Sequence, residues 1–177
     1  MLPGLLSPAD SPQTCDSSYE QPFTRWGDGN HYVLVPGGSF EPNTVSWKLG
    51  RGARIVSGNE SFYVHSAGDR HSLYVPGGVS VTTPPMCFAV GDWHMRLFAR
   101  GSGKIRVRIQ VKSLLGLLSV LDGGTVRAGS AWRPSPEVQM LLTNVTGLLA
   151  TDSVSFRLTP SANTRVDDVY LDPIKSS

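Results

Sequence analysis

The sequence predicts an all-β protein, an antiparallel β-sandwich, and three features indicate this fold. Residues 104–112 alternate apolar and polar side chains without a break, a period that fits a strand with one buried face. The 19 glycines and 13 prolines divide the chain into short segments joined by turns. No window keeps the apolar spacing of an amphipathic helix over a useful length, so we expect short strands throughout.

The predicted strands are short, and each ends at turn residues. Glycine, proline, asparagine and aspartate separate them, and this many short strands is typical of a jelly roll. The predicted spans are 31–35, 45–49, 53–56, 71–75, 79–83, 93–99, 104–112, 114–121, 125–128, 137–142, 154–158 and 166–171.

The stretch 35–42 opens the predicted sandwich. Gly37 and Gly38 allow a tight turn that residues with a Cβ would resist. Phe40 then points into the core and Glu41 points outward, because neighbouring residues of a strand face opposite ways. We therefore expect this stretch to lead the chain into its first sheet.

Two adjacent acids and an apolar run form the far end of the chain, at 165–173. Chain topology in sandwiches of this kind places the first and last strands together. We expect the strand 166–171 to lie antiparallel beside the segment 38–41, so that residues 31–177 form one domain.

The strand 104–112 is the clearest in the chain. Its apolar residues are expected in the core and its charged residues in solvent, whereas a helix would scatter both around its axis. The apolar set is Ile105, Val107, Ile109 and Val111. A hairpin-like turn at 101–103 precedes the strand, and Asp122, Gly123 and Gly124 end the strand that follows it.

The outward residues of 104–112 are mostly basic: Lys104, Arg106, Arg108 and Lys112. This face fits an acidic polysaccharide such as a uronate polymer, but a solvated outer face explains it more simply. No aromatic residues alternate with the charges and the net charge is only +2, so we expect no nucleic-acid partner.

Residues 1–30 form a separate, irregular segment that needs an anchor, since they contain four of the 13 prolines and no apolar alternation. A disulfide between Cys15 and Cys87 would supply it and would stabilise the fold by on the order of 4 kcal/mol through loop closure. Two buried thiols are the alternative. The even cysteine count and the turn-rich composition favour a secreted, extracellular protein.

The composition excludes several other classes of protein. Hydrophobic residues make up 40% of the 177 residues and charged residues 17%, enough for one core and unlike a disordered chain. No apolar run approaches the length of a membrane-spanning helix. We expect a monomer without a membrane span.

The sequence lacks the patterns of common catalytic sites. It has no Gly-x-Ser-x-Gly elbow and no His-Glu-x-x-His motif. His65 and His71 lie close enough in sequence to meet, but a zinc site would need a third ligand. Asp167 and Asp168 are neighbours on a strand and are expected on opposite faces, which excludes a glycosidase pair. We expect no enzyme activity.

The stretches 37–41, 45–47 and 166–169, with Gly68 before the strand 71–75, resemble the jelly-roll carbohydrate-binding modules of the galactose-binding-like group. Those modules combine an Asn-Gly-x-Phe-Glu segment, a Gly-x-Trp strand and a terminal Asp-Asp strand. The chain is also similar to a group of secreted actinobacterial proteins that share its Trp-Gly-Asp, Gly-Asn-Glu and Asp-Asp-Val-x-x-Asp-Pro segments. The resemblance implies that the protein binds a polysaccharide or a cell-surface glycan.

The resemblance also implies a structural calcium site. Calcium takes six to eight oxygen ligands. Glu41 and Asp168 would supply carboxylates, and carbonyls of Ser39 and of the turn around Arg70 would complete the shell. Two alternatives remain: both acids are solvated, or Arg70 or Arg165 pairs with one of them.

Exposed aromatic rings are the remaining candidates for sugar binding. Trp26 and Tyr63 lie in loop-like stretches and are our best candidates, followed by Trp93 and Trp132 at the starts of strands. Packing inside the protein is the alternative for each of them. Trp47 is expected in the core.

Three classes of function are compatible with this sequence. The first is a non-catalytic glycan-binding module, and the second is a structural or adhesion domain that binds protein on a cell surface. The third, a hydrolase or lyase on a jelly-roll scaffold, is the least consistent with the missing catalytic motifs.

Overall fold

The computed structural model describes residues 18–42, 47–86, 92–113, 115–116, 118–141 and 151–172. These residues contain twelve strands and a short 3₁₀ turn at Thr24–Trp26. The strands are β1 (Val33–Leu34), β2 (Lys48–Leu49), β3 (Arg54–Ser57), β4 (His71–Val75), β5 (Val81–Thr82), β6 (Asp92–Gly101), β7 (Lys104–Ser113), β8 (Leu118–Arg127), β9 (Arg133–Pro134), β10 (Val138–Leu141), β11 (Thr151–Pro160) and β12 (Thr164–Asp172).

The strands form two sheets that pack face to face. A seven-stranded sheet has the order β10-β6-β12-β4-β3, with β1 added to β12 and β9 added to β6. A five-stranded sheet has the order β2-β5-β11-β7-β8. The strand pairs within both sheets are antiparallel, so the predicted all-β antiparallel sandwich is confirmed.

The main core lies between the two sheets. Leu73, Met95 and Leu97 of the seven-stranded sheet meet Ile109 and Phe156 of the five-stranded sheet, and each is at most 1% exposed. Burying side chains of this size contributes roughly 1.5–3 kcal/mol each. Trp47, expected in the core, is 8% exposed and packs edge-on against Phe40.

The last strand lies antiparallel beside the first, as predicted, but its partner strand is β1. Of the predicted segment 38–41, which the structure describes in full, Gly38 alone shares a backbone hydrogen bond with the last strand. β1 pairs with β12 through Val33 opposite Leu171, and backbone hydrogen bonds link Val169 to Val35 and Gly38. A Cβ on Gly38 would lie 2.8 Å from the carbonyl oxygen of Val35, so this close approach requires glycine.

The predicted alternation of β7 is confirmed. The apolar residues at 105, 107, 109 and 111 are buried, and the basic residues between them are exposed. Gln110 is an exception to the polar face, since only 8% of it is exposed and its side-chain oxygen accepts a hydrogen bond from Ser155.

Two predicted turns are wrong. The segment 101–103 does not close a hairpin, because β6 and β7 belong to different sheets and the chain crosses from one to the other there. The glycines at 123 and 124 do not end a strand. β8 continues through them, with Gly123 as the extra residue of a β-bulge opposite Val107 and Arg108.

A second apolar layer covers the outer face of the seven-stranded sheet. Phe98 and Tyr170 project from that face, and Phe23, Tyr32 and Trp132 pack on them. Phe23 stacks on Phe98 with ring centroids 5.9 Å apart and meets Tyr32 and Tyr170 edge-on. The described part of the N-terminal segment is therefore held to the sheet by buried aromatic rings.

The proposed Cys15–Cys87 disulfide lies outside the described residues and stays a prediction. We expect a thiol titration of the unfolded, unreduced protein to find no free thiol. Two free thiols would reject the bridge.

Among the described residues, no helix has the length and apolar character needed to cross a membrane.

Candidate functional site

A groove of about 740 Å³ lies on the outer face of the seven-stranded sheet. Half of its ten lining residues are aromatic residues or prolines. Trp26 comes from the N-terminal segment, Phe62 from the loop between β3 and β4, and Trp132 from the chain just before β9. The residues 131–136 form one side of the groove.

The aromatic walls are fixed by ring contacts. Trp26 meets Phe62 edge-on at 5.1 Å between ring centroids and contacts Phe98 beneath it at 5.5 Å. Trp132 is only 7% exposed, and the guanidinium of Arg165 lies 5.9 Å from its ring centroid. These contacts hold the rings in place before any ligand arrives, which reduces the entropy lost on binding.

Arg96 supplies the buried charge of the groove. Its guanidinium donates to an Asp28 carboxylate oxygen at 2.6 Å and to the Ser135 carbonyl at 2.9 Å, and it lies 4.3 Å from the Phe23 ring centroid. Burial alone raises the pKa of Asp28, but hydrogen bonds from Tyr32, Asn30 and Arg96 lower it overall. Arg96 thus joins the N-terminal segment to β6 at the floor of the groove.

An acidic cluster lies on the same face of the sheet, under the loop between β3 and β4. It consists of Glu60, Asp69, Asp167 and Asp168, each at most 5% exposed. The expectation that Asp167 and Asp168 face opposite sides is wrong. A bulge in β12 follows Asp167, and Asp168 has a φ of 42°, so both carboxylates turn towards the loop.

The two aspartates differ in how their oxygens are used. Asp167 accepts hydrogen bonds from the backbone N–H groups of Glu60 and Asp168. Asp168 accepts from the His65 N–H at 3.2 Å through Oδ2, while its Oδ1 is buried without a hydrogen-bond partner in the part of the chain that the structure describes. Burying such an oxygen destabilises the folded protein unless a hydrogen-bond donor or a cation contacts it.

Burial and repulsion by neighbouring carboxylates raise the pKa values of Asp167 and Asp168. Burial and the Asp168 charge raise the pKa of Asp167 to about 9, and burial with the Glu60 charge raises that of Asp168 to about 7. Burial alone lowers the pKa of His65, but its hydrogen bond to Asp69 and the charges of Asp69 and Asp168 raise it overall. The cluster therefore attracts positive charge.

The donor atoms of the cluster fit a cation. Ligand atoms of His65, Asp69 and Asp168 lie within 4.8 Å of one another, and His65 Nδ1 is 2.8 Å from an Asp69 oxygen. Asp168, whose Oδ1 has no hydrogen-bond partner among the described residues, belongs to this group. A metal ion or the protonated His65 ring would each neutralise these carboxylates.

Two of the solved structures with a similar fold are xylan-binding domains. The CBM22-1 xylan-binding domain of Paenibacillus barcinonensis Xyn10C matches with a TM-score of 0.52 and 11% identity, over 82% of this chain and 95% of that one. The CBM22-2 domain of the same protein matches with a TM-score of 0.53 and 11% identity, over 78% and 97% of the two chains. The protein has the jelly-roll fold of these modules.

A phage protein also shares the fold. The enzymatically active domain of bacteriophage CBA120 tailspike protein 4 matches with a TM-score of 0.55 and 15% identity, and 80% of this chain aligns with only 21% of that one. No family model and no curated protein matches the sequence. These likenesses establish the fold.

The predicted aromatic ligands occupy different places in the protein. Trp26 and Trp132 come together in the groove wall. Tyr63 is 49% exposed, lies outside the groove lining and has the Arg70 guanidinium 5.9 Å from its ring centroid. Trp93 lies in β6, opposite Met140, and only its backbone is described.

The structure does not group the predicted calcium ligands as expected. Glu41 accepts hydrogen bonds from the backbone N–H groups of Arg70 and His71 and contacts the His71 ring at 2.8 Å, and it is absent from the group around Asp168. The Arg70 carbonyl accepts from the Gly58 N–H at 2.7 Å. Ser39 is buried. Of the four predicted calcium ligands, Asp168 alone belongs to the group of donor atoms, with His65 and Asp69, that fits a cation.

Sequence reasoning missed the groove residues Phe62 and Arg96 and the cluster carboxylates of Glu60 and Asp69; of Asp69 it used only the backbone carbonyl of its turn. No sequence pattern marks Phe62 or Arg96 as a groove residue. Phe62 reaches the groove because the long loop between β3 and β4 folds over the sheet. The spacing of His65 and Asp69 by four residues was a usable signal, since both lie in one turn-rich loop.

Proposed function

We propose that the protein is a non-catalytic, secreted carbohydrate-binding module that holds a polysaccharide or cell-surface glycan in the groove of Trp26, Phe62 and Trp132. The aromatic groove is the observation that carries this proposal. Sugar rings have apolar C–H faces that stack on aromatic rings, while groove-edge polar groups hydrogen-bond their hydroxyls. The fold shared with xylan-binding domains supports the same class of ligand.

The lining of the groove supports a binding role without catalysis. Glycoside hydrolysis commonly requires two carboxyl groups beside the bond that breaks. The described residues that line the groove include no aspartate or glutamate. Asp167 and Asp168 are buried and hydrogen-bonded to the loop above them.

We propose in addition that a structural calcium ion binds at Asp69 and Asp168. Both carboxylates are buried, one oxygen of Asp168 is unpartnered among the described residues, and calcium prefers oxygen ligands. The ion would join the loop between β3 and β4, which also carries Phe62, to the last strand. Calcium binding would thereby fix one wall of the groove.

We expect Trp26→Ala to weaken glycan binding at least about fivefold, because it removes a stacking surface worth about 1 kcal/mol. The ligand would first be found on a glycan array with the full chain. Isothermal titration calorimetry with that glycan would then compare the parent with Trp26→Ala.

Tyr19→Ala is the matched control for this comparison, since Tyr19 is an exposed aromatic residue outside the groove lining. Circular dichroism would verify that both variants are folded. Equal affinity of Trp26→Ala and the parent would reject the groove as the binding site, and an array without any bound glycan would reject the proposed function.

A further inference from the structure

The outer face of the five-stranded sheet, on the opposite side of the sandwich from the aromatic groove, is strongly basic. Its outward positions carry basic side chains on four of the five strands. They are Lys48 on β2, Lys104, Arg106, Arg108 and Lys112 on β7, Arg127 on β8 and Arg157 on β11. We call this set the basic face.

The charge of the basic face is unbalanced. Among the described side chains at outward positions of these strands, Asp122 is the one acidic residue. The face thus carries a formal +6, whereas the whole chain carries +2. The remainder of the molecule is net negative, so the positive charge is concentrated on this sheet.

Cross-strand pairing places like charges directly opposite each other. Arg108 on β7 is paired with Arg157 on β11, and Lys104 on β7 is paired with Arg127 on β8. Directly opposite side chains of antiparallel strands have Cβ atoms about 4.5–5.5 Å apart, and like charges at that distance are destabilising. An anion between the two members of a pair would remove this cost.

Three arginines of the basic face form no ion pair among the described residues, although Asp122 on β8 lies opposite Arg108 on β7. They are Arg106, Arg108 and Arg157. The Nε of Arg157 is buried and has no hydrogen-bond partner among the described residues. A donor that is desolvated and unpaired in this way gains most from an acceptor supplied by a ligand.

We propose that the basic face is a second glycan-binding surface, specific for a linear polysaccharide that carries carboxylate or sulfate groups. Arginine side chains bind such groups with two parallel hydrogen bonds. Outward residues two apart on β7 are about 6.8 Å from each other, so Lys104, Arg106 and Arg108 form a row along which an extended polymer can lie. The surface and the groove are independent sites.

The outward residues between the charges favour a polysaccharide over a nucleic acid. They are Thr82, Gln110, Leu118, Val120, Thr125, Ser153, Ser155 and Thr159. Single-stranded nucleic acids bind by stacking their bases on aromatic rings, and this face offers none at those positions.

The test is affinity electrophoresis of the full chain in gels that contain polygalacturonate, chondroitin sulfate or neutral xylan. We expect one or both anionic polymers to retard the parent, with retardation lost as salt screens the charges. Arg106→Gln/Arg108→Gln should weaken that binding at least about tenfold, because each lost bond joins two charged groups. The same variant should melt close to the parent, because Arg108→Gln removes both a like-charge contact with Arg157 and an opposite-charge contact with Asp122.

Two variants serve as controls. Arg51→Gln/Arg54→Gln removes the same charge from exposed positions outside the basic face and should bind the anionic polymers as the parent does. Trp26→Ala should bind the anionic polymers as the parent does, even if it no longer binds the groove ligand. The two proposals can therefore fail independently of each other.

Three outcomes would overturn this proposal. One is retardation of Arg106→Gln/Arg108→Gln equal to that of the parent. Another is an equal loss of retardation in Arg51→Gln/Arg54→Gln, which would show that retardation depends only on the net charge of the protein. The third is binding to duplex DNA or to anionic phospholipid vesicles that is at least as tight as to both anionic polysaccharides.

Discussion

Removing calcium at pH 8 will lower the melting temperature of the protein by roughly 5 to 10 °C. Calcium at a hundredfold excess over its dissociation constant stabilises the folded state by about 2.7 kcal/mol. For a chain of this length, 1 kcal/mol corresponds to about 2–4 °C. Thermal melts in calcium and in a chelator, with metal analysis of the protein, measure the difference.

The same experiment carried out over a range of pH tests the acidic cluster itself. In the folded protein the pKa of Asp168 is raised to about 7 and that of Asp167 to about 9, from a normal value of 3.8. Between the normal and the raised pKa of each aspartate, its carboxyl group is protonated in the folded protein and ionised in the unfolded chain. The free energy of unfolding therefore falls as pH rises through this range. Loss of the proton of His65, whose pKa is also raised, acts in the same direction.

We therefore expect the chelated protein to lose stability progressively from about pH 4 towards pH 9. Calcium should abolish most of this loss, because a bound cation stabilises the ionised carboxylates. Protonation of the cluster at low pH should in turn weaken calcium binding.

Asp168→Asn is the matched variant for this prediction. Its amide oxygen can still accept from the His65 N–H, and its NH₂ group replaces the oxygen that lacks a partner among the described residues. We expect it to melt higher than the parent in chelator at pH 8 and to show no response to calcium. A calcium-free parent whose melting temperature is unaffected by added calcium would reject the ion and leave protonated His65 as the counter-charge.

Phe23→Ala will destabilise the protein by about 3–5 kcal/mol, the usual range for deleting a buried phenylalanine. Phe23 is fully buried, contacts Tyr32, Phe98 and Tyr170, and lies under the Arg96 guanidinium. Chemical denaturation with fluorescence detection measures the change. Because Phe23 also contacts Trp26, glycan binding in the groove should weaken in the same variant.

Tyr19→Ala is the control for Phe23→Ala, since Tyr19 is 46% exposed, and it should change stability by less than about 0.5 kcal/mol. A loss below about 1 kcal/mol in Phe23→Ala would show that residues 18–32 are held to the sheet by something other than this ring.

The sequence alone determined the all-β class and the two sides of the strand 104–112. The apolar residues of 104–112 recur with a period of two, which only a strand can bury on one side, and the outward row of Lys104, Arg106, Arg108 and Lys112 follows from the same period. The antiparallel contact between the first and last strands also followed, because sandwiches of this topology bring their ends together. These features depend on local periodicity and on chain topology.

Only the tertiary structure decided the two candidate sites on the opposite face. Trp26, Phe62 and Trp132 are separated by long stretches of sequence and meet because loops fold over the outer face of the seven-stranded sheet. Alternation predicted opposite directions for Asp167 and Asp168, but a single bulged residue turned both towards one loop. Bulges and loop paths depend on packing between distant segments, and a strand period contains no information about them.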